Sequence, residues 1–309
     1  MKTKLFIMIA AATMFAACNK SEEPAPADNG QINFTSGLSL FRSSGQGLQS
    51  TNIDATNSAG IFIIEDGVAP TVTYDLNMKY TADGAGALTP PTDKQPYFPI
   101  TGNGVNVYAY APHNPAYTTL EGADKAFSVK ADQTADADYI SSDFIWGTPA
   151  TNPVTRTSSS VSISFNHKLT KIDFTITAGT GFTAADLQGA SVSIMSTKPD
   201  TKVNLKDGTV GAEEGTAAAI KAAKFAADAT DFTGSAIIIP QTVASGTAFI
   251  QVTLSNNKTL TYKLEKEMKF ATGNKYIYNI TANIESLDVT STIVDWNTGE
   301  TISGNVSLD

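Results

Sequence analysis

Cysteine occurs once in this chain, at Cys18, and histidine only twice, at His113 and His167. One cysteine cannot form an intrachain disulfide, so the fold must stand on packing. Two histidines far apart in sequence, with no closely spaced carboxylates, leave little for a metal site or a nucleophile triad. Basic clusters are also missing. The formal net charge is −9, which argues against a nucleic-acid partner, whose phosphates demand a basic face. The glycine-containing stretches "DGAGAL" and "TGNGVN" lack the strand-to-helix context of a phosphate loop and read as turns. Catalytic residues, bound metals and cofactors are therefore all expected to be none. The expectation is a structural or binding protein, not an enzyme.

Long apolar runs are missing except at the start. Lys2 and Lys4 precede an apolar run from Leu5 to Ala17, which is too short to span a bilayer and reads as a secretory signal over residues 1–17. Cys18 follows the small residues Ala16 and Ala17, an arrangement that resembles a bacterial lipobox, although Phe15 stands where leucine is usual. The resemblance implies acylation of Cys18 and anchoring to outer-membrane lipid. Residues 18–30, "CNKSEEPAPADNG", carry nothing apolar to bury and read as a flexible tether. Glu22 and Glu23 resemble the signal that sends Bacteroides-type lipoproteins to the outer face of the outer membrane; a solvated spacer would look the same.

Beyond the tether, short alternating runs of Val, Ile, Thr, Tyr and Phe recur between turn residues, as in "GIFIIEDG", "VNVYAYAP", "VSISFNH" and "KYIYNITANI". Period two with such breaks predicts half-buried antiparallel strands and an all-β chain of two β-sandwich domains. The alanine-rich segment Glu213–Phe232 favours helix locally and lies among strands, so its state stays open. Residues 147–160, "GTPATNPVTRTSSS", break the alternation and place the domain boundary, giving domains 31–156 and 157–309. Arg156 is then expected to be tucked between domains. Trp146 and Trp296 each follow an apolar run and can be core or domain-edge plugs, or platforms for a glycan.

Six ordered elements carry a family resemblance: "VNVYAYAP", "DFIWG", "VSISFNHKLTKIDFTI", "IIIPQT", "FATGNKYIYNI" and "IVDWNTG". Together they resemble the fimbrillin-like lipoproteins of Bacteroides. The resemblance implies two tandem transthyretin-like β-sandwich domains and polymerisation into a type V pilus, with adhesion as the setting. It further implies that an arginine-specific protease removes the N-terminal strand, cutting between Arg42 and Ser43 at the end of "INFTSGLSLFR".

A comparison of the two ends supports strand exchange. Alternate side chains share one face of a strand, so residues 31–42 present Ile32, Phe34, Ser36, Leu38 and Leu40 together. The tail, about residues 289–309, presents Ile302, Gly304, Val306 and Leu308 in the same way. Both read apolar, small, apolar, apolar over the last four positions, and a reversed tail matches acceptably too. The expected partners are thus other pilus subunits joined by β-strand addition, the protease and membrane lipid. The rival is a monomeric surface lipoprotein that binds glycans or host proteins.

Overall fold

The computed structural model describes residues 30–38, 51–68, 75–122, 125–227, 231–283 and 287–296. In the N-terminal half these form β1 (Phe34–Leu38), β2 (Ser58–Glu65), β3 (Asp75–Ala82), β4 (Ala87–Thr89), β5 (Val105–Ala111), β6 (Lys125–Ser128), a short helix α1 (Asp136–Ser141) and β7 (Ile145–Pro149). Next come β8 (Val161–His167), β9 (Thr170–Ala178), α2 (Ala184–Gln188), β10 (Ser191–Thr197), β11 (Asp200–Val203), β12 (Ala218–Lys221) and β13 (Ala223–Ala227). The chain continues through β14 (Asp231–Ile238), β15 (Gln241–Val243), β16 (Ala248–Thr253), β17 (Thr259–Lys263), β18 (Met268–Phe270), β19 (Asn274–Ala282) and β20 (Leu287–Asp295). The protein is all-β, as the alternation predicts.

The strands build two sheet systems. The first is a closed barrel in the order β1-β4-β3-β2-β5-β7-β8. Its interior is an apolar cluster that includes Ile61, Ile63, Tyr80, Val107, Ile145, Ile163 and Phe165. The second pairs a four-stranded sheet, β12-β10-β16-β17, with a five-stranded sheet, β13-β14-β9-β19-β20. Both sheets contribute to one core, as in the approach of the Phe249 and Tyr278 rings to 5.8 Å between centroids.

The changeover between the two systems falls at Lys168–Leu169, not in residues 147–160. The strand after that polar segment, β8, pairs antiparallel with β7 from Ile145↔His167 to Pro149↔Ile163 and so completes the barrel. Proline and serine mark a loop inside the barrel there, whereas the passage to the second system needs only two residues. The alanine-rich segment is extended: Ile194↔Ile220 pairs it with β10, and Ala223↔Ser235 pairs it with β14. Edge pairing on two sheets overrides a local helix preference worth a fraction of a kilocalorie per residue.

The two systems interlock. β6 pairs antiparallel with β11. Gln133 donates from Nε2 to the Ile237 carbonyl (2.8 Å) and accepts from the Ile237 N–H at Oε1 (2.8 Å). Tyr139 donates to Ser235 Oγ at 2.7 Å. Phe62, Tyr110, Tyr117 and Phe144, from the barrel side, belong to the same buried cluster as the core of the second system.

Candidate functional site

β1 is the seam of the barrel. Phe34↔Leu88 and Thr35↔Ala87 pair it antiparallel with β4, and Phe34↔Val161 through Leu38↔Phe165 pair it parallel with β8. Both of its edges are thus in use. The contact extends beyond the strand: Ile32 N donates to the Pro96 carbonyl (2.9 Å), Phe98 N to the Gly30 carbonyl (2.7 Å) and Leu38 N to the Thr51 carbonyl (2.8 Å).

Side chains alternate along it as the sequence pattern requires. Ile32, Phe34, Ser36 and Leu38 are buried, while Asn33 is exposed and Thr35 and Gly37 are half-buried. Phe34 meets Tyr80 edge-to-face with ring centroids 5.6 Å apart. Ser36 is small because β4 begins beside it: its N–H donates to the Gly86 carbonyl at 2.7 Å and its hydroxyl reaches the same oxygen at 3.3 Å. The turn leading into β4 is fixed by Asp83, whose Oδ1 accepts from the N–H groups of Ala85, Gly86 and Ala87 at 2.8–2.9 Å. Those bonds, Ala85 foremost, hold its carboxyl below the usual carboxylate range. "DGAGAL" is a turn as expected, but the strand that grows out of it flanks β1, which its turn residues do not reveal. The signal was present in an aspartate two to four residues ahead of three satisfied amides, but β4 is too short to show a period.

Cys18, Leu40, Arg42, Ser43, Ile302, Gly304, Val306 and Leu308 lie outside the described residues. The upstream part of the expected donor, from residue 289, is engaged in the fold. β20 pairs antiparallel with β19 over the full run Asn274↔Asp295 to Ala282↔Leu287, and Trp296 N donates to the Gly273 carbonyl at 2.7 Å. Nine paired positions tie this edge strand to the body of the fold.

Both tryptophans serve packing. Trp296 is buried and stacks on His167, with centroids 3.8 Å apart and planes 7° off parallel. His167 Nδ1 lies 3.0 Å from Asp143 Oδ1, both side chains being enclosed. Trp146 donates from Nε1 to the Leu205 carbonyl at 2.7 Å, and its ring covers Gly208, where an added Cβ would stand 2.5 Å from it. Neither ring is laid open as a glycan platform. His113 is half-buried at 3.3 Å from the Asn77 carbonyl, and burial lowers its pKa. Arg156 is exposed, contrary to the expectation of a tucked side chain, because residues 150–160 are a loop within the barrel rather than an interdomain link. Its guanidinium lies against Gly30. Among the described residues no three His, Cys, Asp or Glu side chains converge as a metal site would require.

The fold and this seam define an all-β protein built of a barrel joined to a β-sandwich, with an N-terminal strand as the barrel's last closing element. Residues 48–296 match the family model described as fimbrillin-like, and the chain belongs to that family. It is 26% identical over 310 residues, covering 96% of each chain, to a Bacteroides uniformis protein named as a proposed fimbrium subunit, Fim1C. A crystal structure of a proposed cell adhesion protein from Bacteroides uniformis is 25% identical and superposes with a TM-score of 0.64, covering 87% of this chain and all of that one. A second, from Bacteroides ovatus, gives a TM-score of 0.68 at 21% identity over 87% of this chain and 99% of that one, and bears out the fold. The family is one of structural fimbrial proteins of the cell surface. Its matched span begins after β1 and ends at Trp296, so both expected exchange elements flank it.

Proposed function

We propose that this chain is the precursor of a structural pilus subunit that supports cell adhesion and polymerises by protease-gated strand exchange. In this reading the precursor is exported, acylated at Cys18 and held on the outer membrane. Cleavage after Arg42 frees residues up to the cut, and the tail of another subunit fills the vacated groove. The observation that supports it best is the position of β1: an N-terminal strand paired on both edges, with four consecutive same-face side chains buried in the barrel.

The energetics explain why a cut is needed. Burying Ile32, Phe34 and Leu38 is worth about 5–9 kcal/mol, and burying Ile302, Val306 and Leu308 about the same. In register the tail is the weaker filler, because Glu300 falls where Ile32 is buried, so an attached plug wins. While covalently attached, the plug competes at a millimolar effective concentration. Once severed it dilutes into the medium, and the exchange runs one way. An open groove would expose the unpaired edges of β4 and β8, which a donated strand satisfies by β-addition.

Limited digestion of the folded precursor with an arginine-specific protease tests this reading. Arg156 is exposed but lies two residues from Val154, whose N–H and carbonyl both bond Val105 at 2.7 and 2.9 Å. Proteases need a locally extended, yielding segment, so the first new N-terminus is expected at Ser43, and Arg42→Lys should abolish it without altering the fold. Initial release at Thr157 would count against β1 as the gated element.

A further inference from the structure

We infer that the barrel pole around Tyr97 and Ile100 is the docking surface for the body of a second copy of this chain, the copy that donates its tail. The inference rests on the strand-exchange reading. Tyr97 and Ile100 are the exposed large hydrophobic side chains of the described residues, at 46% and 105% exposure. They lie in one loop, at the end of the barrel where β1 begins. They stand three residues apart in the segment that pairs with the chain just before β1.

The occupant follows from the groove. The loop is an extension of it: Ile32 N bonds the Pro96 carbonyl, Phe98 N bonds the Gly30 carbonyl, and Gln31 bridges to Tyr97. When residues before the cut leave, Pro96 and Phe98 lose those partners. A strand that refills the groove must reach this loop to restore them. With Ile302 in the place of Phe34, the two-residue repeat puts Glu300 in the place of Ile32. Trp296, fixed in the donor's own fold, is then four residues back, about 13 Å along an extended chain. The donor's body must stand at the pole, against Tyr97 and Ile100.

The other end of the groove offers no comparable space. There Leu38 pairs with Phe165, two residues from His167, which the chain's own Trp296 covers. A reversed tail would bring a second body against this junction. Docking at the pole therefore also fixes direction: the donated strand runs as β1 does, parallel to β8. Because the pole of one copy meets the tail-bearing region of the next, the contact is heterologous and generates an open filament.

The test uses the full chain trimmed after Arg42, with Ile100→Asp beside wild type, and a synthetic peptide of residues 297–309. The peptide should bind both trimmed proteins with the same affinity, whereas polymer growth of Ile100→Asp should fall at least tenfold. Peptide binding with wild-type growth of Ile100→Asp would overturn the docking surface and leave strand exchange intact. A peptide that binds neither protein would overturn strand exchange itself and this inference with it. Trimming removes Cys18, so a Tyr97→Cys, Gly299→Cys double variant carries two cysteines only, set opposite each other because Gly299 takes the position of Gln31, which bridges to Tyr97. Polymers should then contain an intersubunit disulfide; polymers that grow without it would overturn the assigned direction.

Discussion

Lys171 is enclosed between the two sheet systems, with its ammonium 3.2 Å from Asp173 Oδ1 and 5.9 Å from the centre of the Trp296 ring. Burial lowers its pKa below the ordinary 10.5, and the nearby Asp173 charge opposes that shift. Between the lowered value and 10.5 the unfolded chain keeps a proton that the folded chain has released. The unfolded state binds more protons there, so this residue's share of stability rises with pH across that window. Asp173 retains Lys275 at 3.9 Å, so Lys171→Met does not strand the carboxylate. The variant should be at least as stable as wild type at pH 7, and its advantage should shrink by pH 10. Chemical denaturation at the two pH values checks this; an advantage that widens with pH would contradict it. None of this was legible in "NHKLTKIDFTI". The enclosure of Lys171 depends on Trp296, far away in sequence.

At the scale of elements, β1 separates what alternation reveals from what it hides. The inward set Ile32, Phe34, Ser36 and Leu38 could be read directly, since period two assigns a face without any knowledge of partners. Its neighbours could not be. β4 is three residues long, and parallel pairing with β8 arises from a contact more than 120 positions away. The alanine-rich strands were hidden for the opposite reason, since their composition favours a helix that only the edges of β10 and β14 overrule. The seam role carries its own prediction. Phe34→Ala should destabilise the precursor by about 3–5 kcal/mol, a loss expected of a buried aromatic. It should also speed exchange after cleavage. Once trimmed and polymerised, variant and wild type should dissociate alike, because Phe34 has left; denaturant titrations of precursor and polymer separate the two cases. Equal precursor stability would mean that Phe34 is not a plug residue.

At the scale of the whole molecule, the two sheet systems are in direct contact through paired strands and side-chain hydrogen bonds. Pro, Ser and Thr cluster in residues 147–160 and suggest a division there. The passage at Lys168–Leu169 carries no such mark, since β8 runs into β9 and no linker intervenes. The junction is sealed by Gln133 on Ile237, Tyr139 on Ser235 and Trp296 on His167, contacts that single-sequence patterns do not encode. This anchoring of Trp296 ties residues 287–296 to the body of the fold, and under the strand-exchange proposal it confines the donor to residues 297–309. The decisive measurement is polymer growth by trimmed subunits whose chain ends after Thr298, followed by sedimentation or by ladders on mildly denaturing gels. The truncated subunit should fold, accept the tail of an intact subunit and terminate growth, while remaining monomeric alone. Normal polymers from truncated, trimmed subunits alone would contradict strand exchange through the tail.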